Sequence, residues 1–268
     1  MNTSDWKTCQ LDISDLDFEG DNLRERWADL HSGNHEPWPE DQQLQNAWRL
    51  YHYGRFAEAV DAALGLGDAG VVVASFAATM QAQYVEQDPT RRAELFKQVM
   101  AWSYEALCRG NVSANLHYMY AVALGRYSQL ISVMEALAQG YASVIKTQVE
   151  KALELDPQHA EALATFAGWH ASVSEQAGEL MAKMLYGASQ EAAEELYQKA
   201  LHSAPQSVIP LIEMAWGLET MFGKSSNEDA LQCLDKALSL PTLDAMQRLD
   251  QQRARTQQAR LNALTQDQ

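Results

Sequence analysis

The sequence KALELDP at residues 151–157 decides the fold, because close copies follow at 199–205 (KALHSAP) and 236–241 (KALSLP). Before each copy, apolar side chains fall at positions i, i+4 and i+7, which is the spacing of one buried helix face. These positions are Ile145, Val149 and Ala152, then Ala193, Tyr197 and Ala200, and then Ala230, Leu234 and Ala237. The proline that follows ends each helix because it disfavours the α conformation in the preceding residue. Recurrence at roughly 35 to 50 residues is typical of stacked helical pairs.

Composition and charge narrow the class of protein. Hydrophobic residues make up 47% of the 268 positions, which is enough to bury a sizeable core. The formal net charge of −16 repels phosphate backbones, so we expect no nucleic-acid partner. The chain has no apolar run of about 18 residues, and its acidic beginning is unlike a signal peptide. We therefore expect a cytoplasmic protein with no membrane insertion and no membrane anchor at its N-terminus. Its three scattered cysteines suit free thiols.

An acidic N-terminal arm is predicted at residues 1–41, followed by a helical repeat domain at 42–268. The arm contains about half of the net charge of −16. A short amphipathic helix is predicted between residues 21 and 31 from three apolar residues at helical spacing, Leu23, Trp27 and Leu30. Two interpretations of the arm stay open: it docks two tryptophans on the first repeat, or it is a tail that binds a partner.

Turn and cap residues place the first helices. The first pair is predicted over about 44–66, with Gly54 taking a positive φ between its two helices. Residues 71–86 are predicted to form the next first helix. Asp88 is a suitable N-cap and is followed by proline, so a second helix is predicted over 89–108.

Two later helices are predicted to be unusually long, at residues 112–137 and 160–186. Gly140 is the expected turn after the first, and Ser189 is the expected cap of the helix that follows the second. Residues 243–264, rich in Gln and Arg, are predicted to form a polar capping helix for the end of the stack. The whole chain is therefore predicted to be all-α, a tetratricopeptide-like right-handed superhelix of about twelve helices in antiparallel pairs.

Three short motifs carry a resemblance to a known family. They are ANLHYMY at 114–120, LGR at 124–126 and GWH at 168–170. Together with the helix-ending sequences, they make the chain similar to the tetratricopeptide-like domain of the regulator of microtubule dynamics family and its bacterial relatives, over about residues 101–264. The resemblance implies a helical-repeat fold, and association with microtubules and mitochondrial membranes in the animal members.

One segment superficially resembles a phosphate-binding loop, FGKSS at 222–226. A true loop of this kind has a glycine five residues before its Gly-Lys pair, where this chain has Leu218. We interpret the segment as a turn between helices, with Ser226 as the N-cap of the next helix. Ser207 is predicted to cap another helix in the same way.

Metal and catalytic sites are not predicted. His31, His35 and Glu36 lie close in sequence, but two imidazoles and one carboxylate are only a partial zinc shell. The acidic arm lacks the Asp-x-Asp-x-Asp-Gly order of a dedicated calcium loop. No nucleophile and base fall into a recognisable arrangement, and Gly-rich cofactor loops are absent from the sequence. We therefore expect no enzyme activity, no metal and no cofactor.

The leading functional hypothesis is a non-catalytic adaptor or scaffold that binds a protein or peptide, basic or apolar in character, in a concave groove. First helices line such grooves, and six of their residues are candidate contacts: His117, Tyr120, Arg126, Trp169, His170 and Trp216. The two tryptophans have an alternative role as core anchors. Two other functions stay open: a carrier of an apolar small molecule in a pocket between the two long helices, and a structural subunit of an assembly. The oligomeric state is not determined by the sequence.

Overall fold

The protein is described by a computed structural model of residues 3–266, with side chains described through residue 264. Over this range it contains fourteen α-helices, short 3₁₀ and π segments, and no β-strand. The α-helices are α1 Asn22–Leu30, α2 Gln42–His52, α3 Phe56–Leu64, α4 Val71–Met80, α5 Pro89–Cys108, α6 Ala114–Ser128, α7 Val133–Ala138, α8 Tyr141–Leu155, α9 Ala160–Ala177, α10 Glu179–Tyr186, α11 Gln190–Ser203, α12 Val208–Phe222, α13 Asn227–Ser239 and α14 Ala245–Gln266. The all-α prediction is confirmed.

The chain divides into two compact units. Unit 1 comprises residues 3–31, 36–155 and 243–246. Unit 2 comprises residues 32–35, 156–242 and those from 247 onward. The predicted boundary at residue 41 lies within unit 1.

In unit 1, helices pack in consecutive hairpins. Helix α2 packs on α3, α4 on α5, and α6 on α8, while α4 also contacts α6. Every residue of α4 is buried, since neighbours cover it all round. The three-residue connection between α2 and α3 contains Gly54 at φ +73°, as predicted, where a residue with a Cβ would be strained.

In unit 2, helix α9 packs on α11 and α12, and α12 packs on α13. The core between α12 and α13 includes Leu211, Ile212 and Leu234. Helix α14 adds Ala254 and Leu261 to the same core. The predicted polar helix at 243–264 therefore exists, and it buries an apolar stripe at small and aliphatic positions.

The helix phase read from the three repeated sequences is confirmed. The buried residues of α8 are Ile145, Val149 and Ala152. Those of α11 are Ala193, Tyr197 and Ala200, and those of α13 are Ala230, Leu234 and Ala237. Local spacing was sufficient here because each helix buries one narrow stripe and leaves the rest to solvent.

The predicted caps are confirmed at two of four positions. The carboxylate of Asp88 accepts the backbone N–H of Thr90 at 2.8 Å, and the hydroxyl of Ser189 accepts that of Ala192 at 3.2 Å. Ser207 and Ser226 occupy the predicted N-cap positions of α12 and α13, but neither side chain makes the capping hydrogen bond. The hydroxyl of Ser226 donates to the carbonyls of Leu218 and Gly223 instead. Serine hydroxyls often donate to nearby backbone carbonyls in this way, which competes with capping.

The long helix predicted at 112–137 was wrong. Helix α6 ends at Ser128, whose hydroxyl donates to the carbonyl of Gly125 at 2.7 Å. Ser132 then caps the separate short helix α7 by accepting the N–H of Glu135 at 3.1 Å. Serine hydroxyls compete with helical hydrogen bonds and favour breaks and caps, which the apolar periodicity alone does not reveal.

The long helix predicted at 160–186 was also wrong. Gly178 interrupts it at φ +76° and ψ 146°, a backbone conformation outside the helical region. Helix α9 therefore ends at Ala177, and α10 starts at Glu179 as a separate element. Glycine makes this break possible because it has no Cβ to clash at positive φ.

The N-terminal arm contains the predicted short helix. Helix α1 buries Leu23, Trp27 and Leu30. The ring of Trp27 lies edge-on to that of Trp48 in α2, at 5.6 Å between centroids, and 5.0 Å from that of Trp38. The contact with Trp48 places α1 on the first repeat.

Each unit also contains a short segment distant in sequence. In unit 1, Asp244 contacts His52 through a 2.8 Å bond between two buried side chains, and the hydroxyl of Tyr51 donates to the sulfur of Met246 at 2.8 Å. In unit 2, the amide of Asn34 donates to the buried carboxylate of Glu161 at 3.1 Å. These contacts join residues more than a hundred positions apart, so no local pattern could predict them.

Candidate functional site

One predicted contact residue of α6, Tyr120, lies in a cluster of tyrosines in unit 1. We define the tyrosine cluster as Tyr104 of α5, Tyr120 and Tyr127 of α6, and Tyr141 of α8. Helix α6 packs against both α5 and α8, which brings these residues together on three helices. Tyr104 is exposed, Tyr120 and Tyr141 are partly exposed, and Tyr127 is buried. The cluster is therefore accessible to a partner at Tyr104, Tyr120 and Tyr141, and it is buried at Tyr127.

Tyr127 is the buried member of the tyrosine cluster and contacts Tyr141. Its ring lies edge-on to that of Tyr141 with centroids 6.1 Å apart, and the ammonium of Lys97 lies 4.9 Å from its centroid. A hydrogen bond with Tyr127 raises the pKa of Lys97, so this cation stays charged beside the aromatic face. Attraction between a cation and the electron-rich face of a ring helps to fix both side chains.

Tyr104 and Tyr120 form the accessible edge of the tyrosine cluster. A hydrogen bond with Cys108 is the main cause that raises the pKa of Tyr104, and Tyr120 adds to the effect. Burial raises the pKa of Tyr120, with a smaller contribution from Tyr141. These phenols are therefore neutral at physiological pH and can both donate and accept hydrogen bonds.

His117 lies three residues before Tyr120 on α6. Its Nδ1 lies 2.7 Å from the side-chain oxygen of Gln148 in α8. Burial lowers the pKa of His117, against the raising effect of Gln148. The ring is thus a neutral, half-buried hydrogen-bond donor or acceptor at pH 7.

Arg126 is placed in the last turn of α6 and is partly buried. A cation near the end of a helix interacts favourably with the helix dipole, which gives Arg126 a stabilising role besides any contact with a partner. It lies six residues after Tyr120, so the two side chains point to different faces of the helix.

Three of the predicted contact residues belong to unit 2, and two of them are buried. Trp169 is 6% exposed and His170 is 5% exposed. The Nδ1 of His170 accepts the backbone N–H of Ser189 at 3.1 Å, so this histidine fixes the start of α11. Trp216 is partly exposed and lies close to Gly168, where an added Cβ would lie 3.5 Å from its ring. Trp169 and His170 therefore take part in helix packing, whereas Trp216 keeps part of its surface exposed.

His159, another histidine of the predicted first helices, is fully buried as the N-cap of α9. Its Nδ1 accepts the N–H of Ala162 at 3.1 Å. Burial lowers the pKa of His159 to about 4, although Asp156 acts in the opposite direction. A neutral ring is required, because a protonated Nδ1 could not accept this hydrogen bond.

Sequence reasoning missed the two short helices α7 and α10. The exposed apolar residues of α7 are Val133, Met134 and Leu137, and those of α10 are Leu180, Met181, Met184 and Leu185. The sequence pattern places these residues within the predicted long helices 112–137 and 160–186, where apolar residues are expected to be buried. Gly178 was the available signal, since an isolated glycine in a helical pattern lowers the expectation of an unbroken helix.

The three residues considered for a partial zinc shell have other surroundings. The ring of His31 lies 4.1 Å from that of Trp27, and the Nδ1 of His35 is 2.7 Å from the carboxylate of Asp156. Glu36 accepts the amide of Asn115 at 2.6 Å. Within residues 3–264, no group of three or more His, Cys, Asp or Glu side chains is arranged to hold a metal ion.

Comparisons with known proteins give one family. The model of the family described as regulator of microtubule dynamics protein 1-3 matches residues 71–263. A search of curated proteins finds no match to the chain. In the described part of the chain, no helix has the length and apolarity needed to span a bilayer.

Proposed function

Because the chain belongs to the regulator of microtubule dynamics protein 1-3 family, we propose that it is a non-catalytic helical-repeat protein that binds another protein or a peptide. The family match spans α4 to α14, and it therefore includes the tyrosine cluster. Helical repeats are suited to this role because they present side chains from successive helices on one extended surface.

The repeat packing supports a superhelical arrangement within each unit. A first helix contacts both its own partner and the next first helix, as α4 contacts α5 and α6, and as α9 contacts α11 and α12. This pattern repeats the same interface along the chain, which is how tetratricopeptide-like stacks are built. We propose a right-handed superhelix on this basis.

The observation that carries the binding proposal is the tyrosine cluster. Protein interfaces are enriched in tyrosine, because a rigid ring provides a large apolar contact and its hydroxyl provides a hydrogen bond. Tyr104 and Tyr120 present this combination at the surface, while the buried Tyr127, which also contacts Lys97, restrains the cluster. A partner therefore meets a surface that is already partly ordered, so binding costs less conformational entropy.

The chemistry of the cluster favours an apolar or aromatic peptide segment. Neutral phenols and the neutral ring of His117 provide hydrogen bonds without a fixed charge. The net charge of −16 disfavours an acidic partner. Rings and hydroxyls of this kind are suited to binding a peptide segment.

Selection of a displayed random-peptide library on the purified protein tests this proposal. The affinity of an enriched peptide is then measured by fluorescence anisotropy for the wild type, Tyr104→Ala and Tyr120→Ala. Each change should raise Kd by about tenfold, the effect of losing about 1.4 kcal/mol of binding free energy. Leu155→Ala is the matched control, because Leu155 is an exposed apolar residue of the same unit.

Two outcomes would contradict the proposal. One is that no peptide is enriched over a library selected on an unrelated acidic protein. The other is that the enriched peptide binds the tyrosine variants and the Leu155→Ala control with equal affinity. Far-UV circular dichroism of each variant would establish that its helices are intact.

A further inference from the structure

We propose that helix α10 and the adjoining acidic face of α11 form a docking surface in unit 2 for a basic amphipathic helix of a partner protein. We call this surface the α10–α11 surface and define it by the apolar residues of α10 and the acidic residues at the start of α11. These are Leu180, Met181, Met184, Leu185, Glu191, Glu194 and Glu195. It lies on different helices from the tyrosine cluster and does not depend on it.

The apolar part of the surface is unusual for a short helix. Leu180 and Met184 are each 72% exposed, Leu185 is 64% exposed and Met181 is 47% exposed. At about 100° of rotation per residue, these four positions form one continuous stripe that covers roughly 140° of the helix. Only Ala182 of α10 is buried. Clustered apolar side chains of this kind mark interaction sites, whereas single exposed ones do not.

Helix α10 is held in place although its own side chains contribute little burial. Gly187 follows it in the left-handed region at φ 68° and ψ 23°, and the N–H of Ala188 donates to the carbonyl of Ala182 at 3.2 Å. This is the capped helix end in which a glycine satisfies the last carbonyls. The apolar stripe is therefore displayed on an ordered helix, and two methionines allow it to adapt to different partner side chains.

The acidic part of the surface lies next to α10. The carboxylate of Glu179, the first residue of α10, accepts the N–H of Gln190, the first residue of α11, at 3.2 Å. This bond places the start of α11 within reach of the Glu179 side chain. Glu191, Glu194 and Glu195 follow at once along α11 and are exposed.

These glutamates line a shallow depression of about 540 Å³, together with Gln198 and Lys199. Among the described residues, none of the three glutamates forms an ion pair within the chain. Their charges are thus available to a partner, and Lys199 is the only cation that lines the depression.

The combination of an apolar stripe and an acidic flank selects the occupant. An amphipathic helix buries its apolar face in a hydrophobic surface, and lysines or arginines at its edges pair with flanking carboxylates. An anionic membrane is disfavoured because membrane-bound helices carry lysine and arginine beside their apolar face. A second copy of this chain is disfavoured by the net charge of −16 on each copy.

A designed peptide can test the surface without knowledge of the natural partner. The probe is a fluorescein-labelled peptide of about 18 residues, long enough to form a helix, with leucines at helical spacing and lysines elsewhere. Anisotropy gives its Kd for the protein of 268 residues. Leu180→Ser with Met184→Ser should raise Kd at least tenfold, and Glu194→Lys with Glu195→Lys should do so as well. The same peptide with glutamate in place of lysine should bind far more weakly.

Met134→Ser is the matched control for the apolar change. Met134 of α7 is 75% exposed, as Met184 is 72% exposed, and it is also on a short apolar helix. Its replacement should leave Kd unchanged. Raising the salt concentration from about 0.05 to 0.5 M should weaken binding to the wild type, because exposed charges are screened over a few ångströms at the higher value.

Several results would overturn the proposal. Equal affinity for the wild type and for Leu180→Ser with Met184→Ser would show that the acidic charge alone attracts the peptide. Concentration-dependent dimerisation in sedimentation, abolished by Met184→Ser, would assign the stripe to a second copy. Co-sedimentation with phosphatidylserine vesicles that Met184→Ser abolishes would assign it to a membrane.

Discussion

Replacing Gly217 by alanine tests how tightly α11 packs against α12 in the core of unit 2. The buried ring of Tyr197, on α11, meets α12 at Gly217 and also approaches α9 at Gly168. A Cβ added to Gly217 would lie 2.3 Å from the hydroxyl oxygen of Tyr197 and 2.6 Å from Cε2 of its ring. A Cβ added to Gly168 would lie 3.6 Å from the same hydroxyl, which is an ordinary contact. The same substitution thus meets a clash at Gly217 and only ordinary van der Waals contacts at Gly168.

The two variants are expected to shift stability in opposite directions. Alanine is favoured over glycine in a helix by about 1 kcal/mol, and Gly168→Ala should gain up to that amount. Gly217→Ala gains the same helix propensity, but overpacking a filled core costs about 1 to 3 kcal/mol. The ring of Tyr197 is fully buried and cannot move aside freely, so we expect the upper part of that range. Gly217→Ala should therefore be less stable than Gly168→Ala by about 2 kcal/mol or more.

Urea denaturation followed by far-UV circular dichroism measures both variants against the wild type. In thermal denaturation, a difference of 2 kcal/mol corresponds to about 4 to 8 °C for a domain of this size. Tyr197→Phe in the Gly217→Ala background should restore part of the loss, since it removes the closest atom. A Gly217→Ala protein as stable as Gly168→Ala would refute the packing of the Tyr197 ring against α12.

Three other substitutions are expected to change stability. Burial raises the pKa of Glu36 to about 7 from 4.5, so the folded state keeps a proton that the unfolded state loses, and stability falls as pH rises between these values. Glu36→Gln should therefore stabilise the protein by on the order of 1 kcal/mol near pH 8 and have little effect near pH 4. An equal gain in melting temperature at both pH values would contradict a buried Glu36 carboxyl. His159→Ala removes the N-cap of α9 and should cost about 1 kcal/mol at neutral pH, while His159→Asn should recover most of it. Burial lowers the pKa of His159 from 6.5 to about 4. The stabilisation from this cap is therefore complete above pH 6.5 and is lost as the pH falls towards 4. Urea midpoints measured across this pH range would show the loss. Ala200→Leu should cost about 1 to 3 kcal/mol because Ala200 is fully buried, whereas Lys199→Ala should change the urea midpoint little because Lys199 is exposed. Equal urea midpoints for Ala200→Leu and the wild type would contradict a close helix contact at Ala200.

The candidate site was predictable only in part. His117 and Tyr120 were selected because they lie outside the buried stripe of a first helix, and the structure places both at a partly exposed surface. Tyr104 and Tyr141 were not selected, because they are on second helices, and only the packing of α5 and α8 against α6 brings them together. His170 was selected for its polarity, yet it is buried and accepts a backbone N–H. Residue type alone does not distinguish a histidine that binds a partner from one that forms hydrogen bonds with the backbone of its own chain.

The sequence by itself determined that the protein is helical, which face of each repeated helix is buried, and where several helices begin and turn. These properties depend on interactions within a few residues: the phase of Ala193, Tyr197 and Ala200, the cap at Asp88, and the positive φ of Gly54.

Only the tertiary structure decided which apolar residues stay exposed and which polar residues are buried. Met184 and Tyr197 fall in equally regular helical patterns, but no neighbouring helix covers Met184, whereas two helices enclose Tyr197. The contact between His52 and Asp244 likewise joins side chains 192 positions apart. The physical reason is that burial depends on which surfaces meet after the chain has folded, and helical spacing contains no information about distant surfaces.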